Sequence, residues 1–177
     1  QPVPTYDPQT GVYLDCVIFD LNDHLSKVFY ASAFDPNAGA FAPPDCWSDN
    51  GLAPSRQAAI PQAPLCGSCP NNVWGSAISK VSGKGVKACH DQQKVAVYVP
   101  GFPVLFLLRI PPNSLKNFRM YAEQFQGQQF DMDVMVTRLS FEPNGVGTLR
   151  FAPVGWIDQV AAATIGDARQ KKATDSL

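Results

Sequence analysis

Hydrophobic and polar positions fall into two patterned stretches separated by one with little pattern. Residues 12–19 form a short, β-rich apolar run, followed by a turn-like Asn22-Asp23-His24 and a second run at 28–34, which together predict an opening hairpin. From Asp35 to His90 the periodicity fades among Pro, Gly, Ser and Asn, so this stretch cannot assemble much of an apolar core by itself. Pattern returns at 94–99, turns at Pro100-Gly101 and continues through 104–110, a second hairpin. Pro111-Pro112-Asn113-Ser114 then stops the strand and offers Asn113 or Ser114 as an N-cap. Leu115, Phe118, Ala122 and Phe125 recur at helical spacing, with Gly127 suited to the C′ position. Residues 129–141 and 148–154 predict two further strands around Pro143-Asn144-Gly145. The tail from Trp156 has a weak helical pattern and a basic end, Arg169-Gln170-Lys171-Lys172, that is expected to fray.

This order of elements predicts a mainly β (α+β) fold: an OB-like antiparallel barrel with one helix and a zinc-binding insertion. The expected parts are an N-terminal β-hairpin of the core at 1–34, the insertion at 35–93, core strands and helix at 94–154, and a C-terminal tail at 155–177. No apolar run approaches the roughly 20 residues that cross a bilayer, so no membrane is expected. Gln1-Pro2-Val3-Pro4 lacks the basic and apolar regions of a signal peptide, although a chain that does not begin with Met leaves a cleaved leader open.

Charge sharpens the picture through its distribution. Fourteen Lys and Arg against 15 Asp and Glu give a formal net charge of -1, which excludes a uniformly basic chain. Yet residues 1–50 hold Asp7, Asp15, Asp20, Asp23, Asp35, Asp45 and Asp49 against Lys27 alone. Residues 80–119 hold Lys80, Lys84, Lys87, Lys94, Arg109, Lys116 and Arg119 against Asp91 alone. Solvated surface explains such a skew as readily as a binding face does.

Five cysteines complete the unusual composition. Cys66-Gly67-Ser68-Cys69 is a C-x2-C knuckle, flanked at equal distance by Cys46 and Cys89. Zn²⁺ takes tetrahedral thiolate and imidazole ligands, so Cys46, Cys66, Cys69 and Cys89 are the candidate ligands, with His90 as a possible substitute. Disulfides compete, but an odd count and the knuckle spacing favour metal. Cys16, in the apolar first strand, reads as a buried free thiol. No His-x-Glu accompanies the knuckle, so the zinc is expected to be structural, ordering a segment that lacks a core.

Ser82-Gly83-Lys84-Gly85-Val86-Lys87 brings glycines and ammonium groups together, as suits a loop approaching phosphates; it matches neither a Walker loop nor a dinucleotide fingerprint. Lys94 and Tyr98 alternate onto one strand face. The candidate nucleic-acid contacts are therefore Lys80, Lys84, Lys87, Lys94, Arg109, Lys116 and Arg119 for phosphates, with Trp47, Trp74, Tyr98 and Phe106 for stacking. Packing against the knuckle competes for both tryptophans. Catalysis is not expected: His24, His90, Glu123 and Glu142 leave few general acids and bases, and Asp131-Met132-Asp133, which can present two carboxylates on one face to Mg²⁺, is more simply a solvated strand end.

The strings Pro44-Asp45-Cys46-Trp47-Ser48-Asp49-Asn50-Gly51, Cys66-Gly67-Ser68-Cys69-Pro70-Asn71-Asn72-Val73-Trp74-Gly75-Ser76 and Gly83-Lys84-Gly85-Val86-Lys87-Ala88-Cys89 resemble a tailed-phage and prophage zinc-knuckle family with the pattern PDCxSxxG…CxxCPxNxWGS…GKGxKAC. Arg109-Ile110-Pro111-Pro112-Asn113-Ser114-Leu115-Lys116-Asn117-Phe118 and Val136-Thr137-Arg138-Leu139-Ser140-Phe141 resemble its LPPxSLKxF and VTxLSF blocks. The resemblance implies a phage protein that binds single-stranded DNA in replication or recombination, in the host cytoplasm, with phage replication or recombination proteins as partners. The acidic C-terminal tail through which typical single-strand-binding proteins recruit partners has no counterpart in the basic end of this chain. The alternative function is a zinc-stabilised protein-protein interaction module recruiting a phage or host factor.

Overall fold

A computed structural model of the chain describes residues 5–7, 11–32, 43–80, 82–143 and 147–175. In chain order the strands are β1 (Thr5–Asp7), β2 (Gly11–Leu21), β3 (Ser26–Phe29), β4 (Cys46–Ser48), β5 (Ala77–Ile78), β6 (Gly85–Val86), β7 (His90–Tyr98), β8 (Leu105–Ile110), β9 (Met135–Phe141) and β10 (Leu149–Trp156), and the helices are α1 (Leu115–Glu123) and α2 (Gln159–Asp175). The chain forms two compact units, Gln1–Leu21 with Lys94–Leu177, and Asn22–Gln93.

The first unit is an antiparallel sheet in the order β10-β9-β2-β7, with β1 also paired to β2 and β8 to β7. Alternation along β2 sends Cys16 and Ile18 to one face, where Val95, Val97 and Leu139 join them against Phe118 and Tyr121 of α1. Val17 and Phe19 go to the other face and pack with Tyr98 against Ala161 and Ile165 of α2. Because both faces of β2 are covered, residues 16–19 read as an unbroken apolar run. Helix α2 is fixed by Asp158, whose Oδ1 accepts the Ala161 N–H at 2.7 Å as an N-cap, and by Arg169. The Arg169 guanidinium pairs with Asp133 at 2.5 Å and donates to the Phe19 carbonyl at 3.0 Å.

The fold is mainly antiparallel β with helices, but it departs from expectation in four respects. The described strands do not close into a barrel. The weak helical pattern of the tail becomes a full second helix, since Ala161, Ile165 and Ala168 recur four and three residues apart and find the sheet face. The opening hairpin does not form: β2 and β3 pair not with each other but each with β7, as Leu21↔Val95 and Ser26↔Gln92 show. Finally, Ser114 stands at the expected N-cap position of α1 but makes no side-chain capping bond; its buried hydroxyl accepts the Leu149 N–H at 2.9 Å. The β7–β8 pairing and α1 lie where the periodicity placed them. Phe34 and the Asn144-Gly145 turn lie outside the described residues. Among the described residues no helix is long and apolar enough to cross a membrane.

Cys16 is fully buried, and burial followed by the Asp15 charge pushes its thiol from an ordinary 9.0 up to about 12. The unfolded thiol ionises first, so this group's contribution to stability is complete below 9.0 and drains away as pH rises toward about 12. The loss reaches about 1.4 kcal/mol per pH unit. Cys16→Ala is therefore expected to flatten the alkaline limb of stability measured by urea unfolding across pH; an unchanged slope contradicts the assignment.

Candidate metal centre

The second unit has an interior unlike the first. Its buried apolar residues, among those described, are Cys46, Cys66, Cys69 and Cys89, each 7–8% exposed, and Ala58. Buried polar side chains make up the rest: Ser26, Ser48, Gln92 and Gln93. Four thiols thus occupy the place of a hydrophobic core. All are free, and all four line one pocket together with Lys27, Phe29, Trp47 and Asn72.

Local backbone explains how each sulfur arrives there. Cys46 opens β4, which pairs with β3 through Phe29↔Cys46, while β3 pairs on its other side with β7 through Val28↔His90. After β4 the chain turns at Gly51, whose φ of +72° and a Leu25 carbonyl oxygen only 2.6 Å from where a Cβ would sit exclude any other residue without rearrangement. The knuckle is a 3₁₀ turn at Cys66–Ser68, tied by Cys69 N–H to the Cys66 carbonyl at 3.4 Å and by Cys66 N–H to the Leu52 carbonyl at 2.8 Å. Cys89 joins it because its N–H donates to the Asn71 carbonyl at 2.8 Å.

Asn72 links the knuckle to a charged cluster. Its Nδ2 donates to the Cys66 carbonyl at 2.8 Å, and its Oδ1 accepts from Lys27 at 3.1 Å and Lys87 at 3.2 Å. Both ammonium groups also bond Asp91, Lys87 at 3.1 Å. Burial raises the Asp91 carboxyl, but hydrogen bonds and charge from Lys27 and Lys87 outweigh it and hold the group below its usual value. Burial pushes the Cys89 thiol up to about 11; Lys27 opposes the rise, and Cys69, Cys66 and Asp91 add to it. The donor set suits a thiophilic divalent ion, which would deprotonate such thiols outright. Among the described residues, however, no three His, Cys, Asp or Glu side chains are gathered tightly enough to hold an ion as they stand. His90, the substitute ligand, is exposed and does not line the pocket.

A hairpin projects from this centre. Strands β5 and β6 pair as Ala77↔Val86 and Ile78↔Gly85, and their base is pinned where Ser76 Oγ donates to the Asn71 carbonyl at 3.1 Å and accepts the Ala88 N–H at 2.9 Å. Trp74 is 73% exposed, and Ile78, Lys80 and Lys84 are exposed along the ribbon. At its tip Gly83 N–H donates to the Ser79 carbonyl at 2.8 Å. Gly85 passes so close that a Cβ there would stand 3.2 Å from the Gly75 Cα.

The other expected nucleic-acid contacts scatter. Lys87 is engaged by Asp91 and Asn72, and Trp47 is half-buried against the thiol pocket. Tyr98 is only 6% exposed, because α2 covers the face of β7 that was to offer it with Lys94 to a base. Lys94 itself is half-buried and bonded. Phe106 packs toward the first unit's core against Phe102, with ring centroids 5.9 Å apart. Arg109 lies on the exposed face of β8 with Leu105 and Leu107, opposite to the face that packs under α1, whereas Lys116 and Arg119 lie on the solvent side of α1. Those three cations do not share a face. Nor do Asp131 and Asp133 form a paired carboxylate site, since they flank the buried Met132 in a 3₁₀ turn and Asp133 is taken by Arg169.

Sequence reasoning missed Lys27 as part of this site. Its signal was present: it is the lone cation among the seven aspartates of the first 50 residues. Comparison with protein-family models, curated proteins and solved structures found no match.

Proposed function

We propose that this chain is a non-enzymatic single-stranded DNA-binding protein of phage replication or recombination, working in the host cytoplasm. In this reading Cys46, Cys66, Cys69 and Cys89 close on one structural Zn²⁺, and the β5–β6 hairpin is the binding element. The observation that carries it is the exposed Trp74 at the base, and the exposed Lys80 and Lys84 toward the tip, of one glycine-bordered ribbon whose base is bonded to Asn71, just after the cysteine knuckle. An exposed indole is a sequence-tolerant platform for a base, and the two ammonium groups of the same ribbon track the phosphates. The zinc fixes both ends of the hairpin, because the knuckle precedes it and Cys89 follows it. The phage-family resemblance points to the same chemistry. This reading requires no OB-like barrel, since its contacts come from the hairpin.

Fluorescence anisotropy with a labelled oligothymidine tests it. Trp74→Ala should weaken binding by about 1–3 kcal/mol, the usual worth of one stacked base. Replacing Lys80 and Lys84 together by Ala should reduce the slope of log affinity against log salt by about 1.4, or roughly 0.7 per phosphate contact. Absence of binding at low salt, or binding indifferent to salt, contradicts the proposal.

A protein-protein interaction module is the second reading. It is favoured by Val104, Leu105 and Leu107, which are exposed at the start of and along β8 and beside Arg109. If Leu105→Ser with Leu107→Ser abolishes capture of a phage or host factor while DNA binding stays intact, this second role is supported.

A further inference from the structure

Two ammonium groups share one carboxylate in the second unit. Lys27, whose side chain is 12% exposed, and Lys87 both bond Asp91 and the Asn72 Oδ1. Among the described residues Asp91 is the carboxylate paired with them, so one positive charge is left over, and a shielded charge without a counter-ion is costly. The groups that stand nearby are thiols: Lys27 lines the same pocket as Cys46, Cys66, Cys69 and Cys89. Asn72 joins the two sets, accepting from both lysines while donating to the Cys66 carbonyl at 2.8 Å. The Lys27 stem is itself positioned, with its Cε 3.7 Å from where a Gly51 Cβ would sit.

We propose that the Lys27–Asp91–Lys87–Asn72 cluster is the charge-balancing outer shell of a four-thiolate metal centre, with Lys27 as its positioning residue. Four thiolates around a divalent ion carry a net double negative charge. The surplus ammonium offsets part of it, and neutral thiols would leave that ammonium unbalanced. Outer-shell partners of this kind set ligand basicity and metal retention. The inference rests on the metal-centre reading above.

Competition between the full-length, zinc-loaded protein and a chromophoric chelator tests it. Lys27→Met keeps the aliphatic stem and removes the charge. It should still take one zinc per chain but surrender it about 10–100-fold more readily, with Lys27→Arg restoring most of the loss. Arg56→Met, at an exposed cation of the same unit, should retain zinc as wild type does. In the cobalt-loaded Lys27→Met protein the sulfur-to-metal charge-transfer band should keep its four-thiolate intensity and move to lower energy, since removing a nearby cation makes the thiolates easier to oxidise. Equal zinc retention in Lys27→Met and wild type overturns the proposal. So does loss of the four-thiolate signature, which would mean that Lys27 is only scaffold. Should Lys27→Met not fold, Lys87→Met carries the same test, with a smaller loss of the same sign expected and none overturning the idea. A wild-type chain that takes no zinc removes the metal centre itself, whereas a zinc-binding wild type matched by its variants removes this inference alone.

Discussion

Replacing Cys66 and Cys69 by serine will unfold the segment Asn22–Gln93 and leave the other unit folded. Apolar burial supplies the segment with little else: among its described residues the buried apolar side chains are the four cysteines and Ala58. Its ladders are short, with three registered pairs between β3 and β4, three between β3 and β7, and two between β5 and β6. A small unit with so little apolar burial needs a staple. Structural zinc supplies about 10–16 kcal/mol of apparent binding free energy, as much as the whole stability of a typical domain. Both apolar clusters belong to the first unit, so that unit does not depend on the thiols. Limited proteolysis should cut the double variant within residues 43–93 and spare 94–175, and prolonged chelation should reproduce the pattern in the wild-type chain. Equal protease resistance in variant and wild type would show that the cysteines are not the staple.

The second large effect lies in the other unit. Tyr121 is 1% exposed, stacks on Phe151 with centroids 5.9 Å apart and meets Phe125 edge-on at 5.1 Å. Its hydroxyl is 2.5 Å from the Oγ1 of Thr137, which is itself fully buried. Truncation to Ala removes the centre of the α1-facing cluster and should cost about 3–5 kcal/mol in urea unfolding. Tyr121→Phe keeps the packing but leaves the Thr137 hydroxyl without this partner, a loss of about 1–3 kcal/mol. A loss for Tyr121→Ala no larger than that for Tyr121→Phe would show that ring packing contributes little.

Elements stabilised by contacts near in sequence were legible, and those completed by distant partners were not. The β7–β8 pairing spans a short turn at Pro100-Gly101, and α1 carries its own apolar stripe, so both could be read locally. Among its described side chains helix α2 turns Ala161, Ile165 and Ala168 toward the sheet, too sparse a stripe to outweigh its polar surroundings. Its burial also hides Tyr98, which alternation alone had turned outward. Charge misled for a related reason. Asp15 is consumed by Arg138, which lies 123 residues away in a two-point pair at 2.8 Å, and Lys87 by Asp91, so neither belongs to a free acidic or basic surface. The basic stretch from 80 to 119 is shared between two units. The gathering of the four cysteines around one pocket could be read because their spacing is written in the sequence, whereas Lys27 reaches that pocket through the β3–β7 pairing Lys27↔Asp91.

Native mass spectrometry of the purified full chain, prepared without added metal or chelator, tests the central claim most directly. The account predicts one zinc ion per chain, with the mass further lowered by the protons its thiolates release and all five cysteines recovered as free thiols after denaturation in chelator. A folded, metal-free chain, or one whose mass and thiol count reveal disulfides among Cys46, Cys66, Cys69 and Cys89, would contradict it.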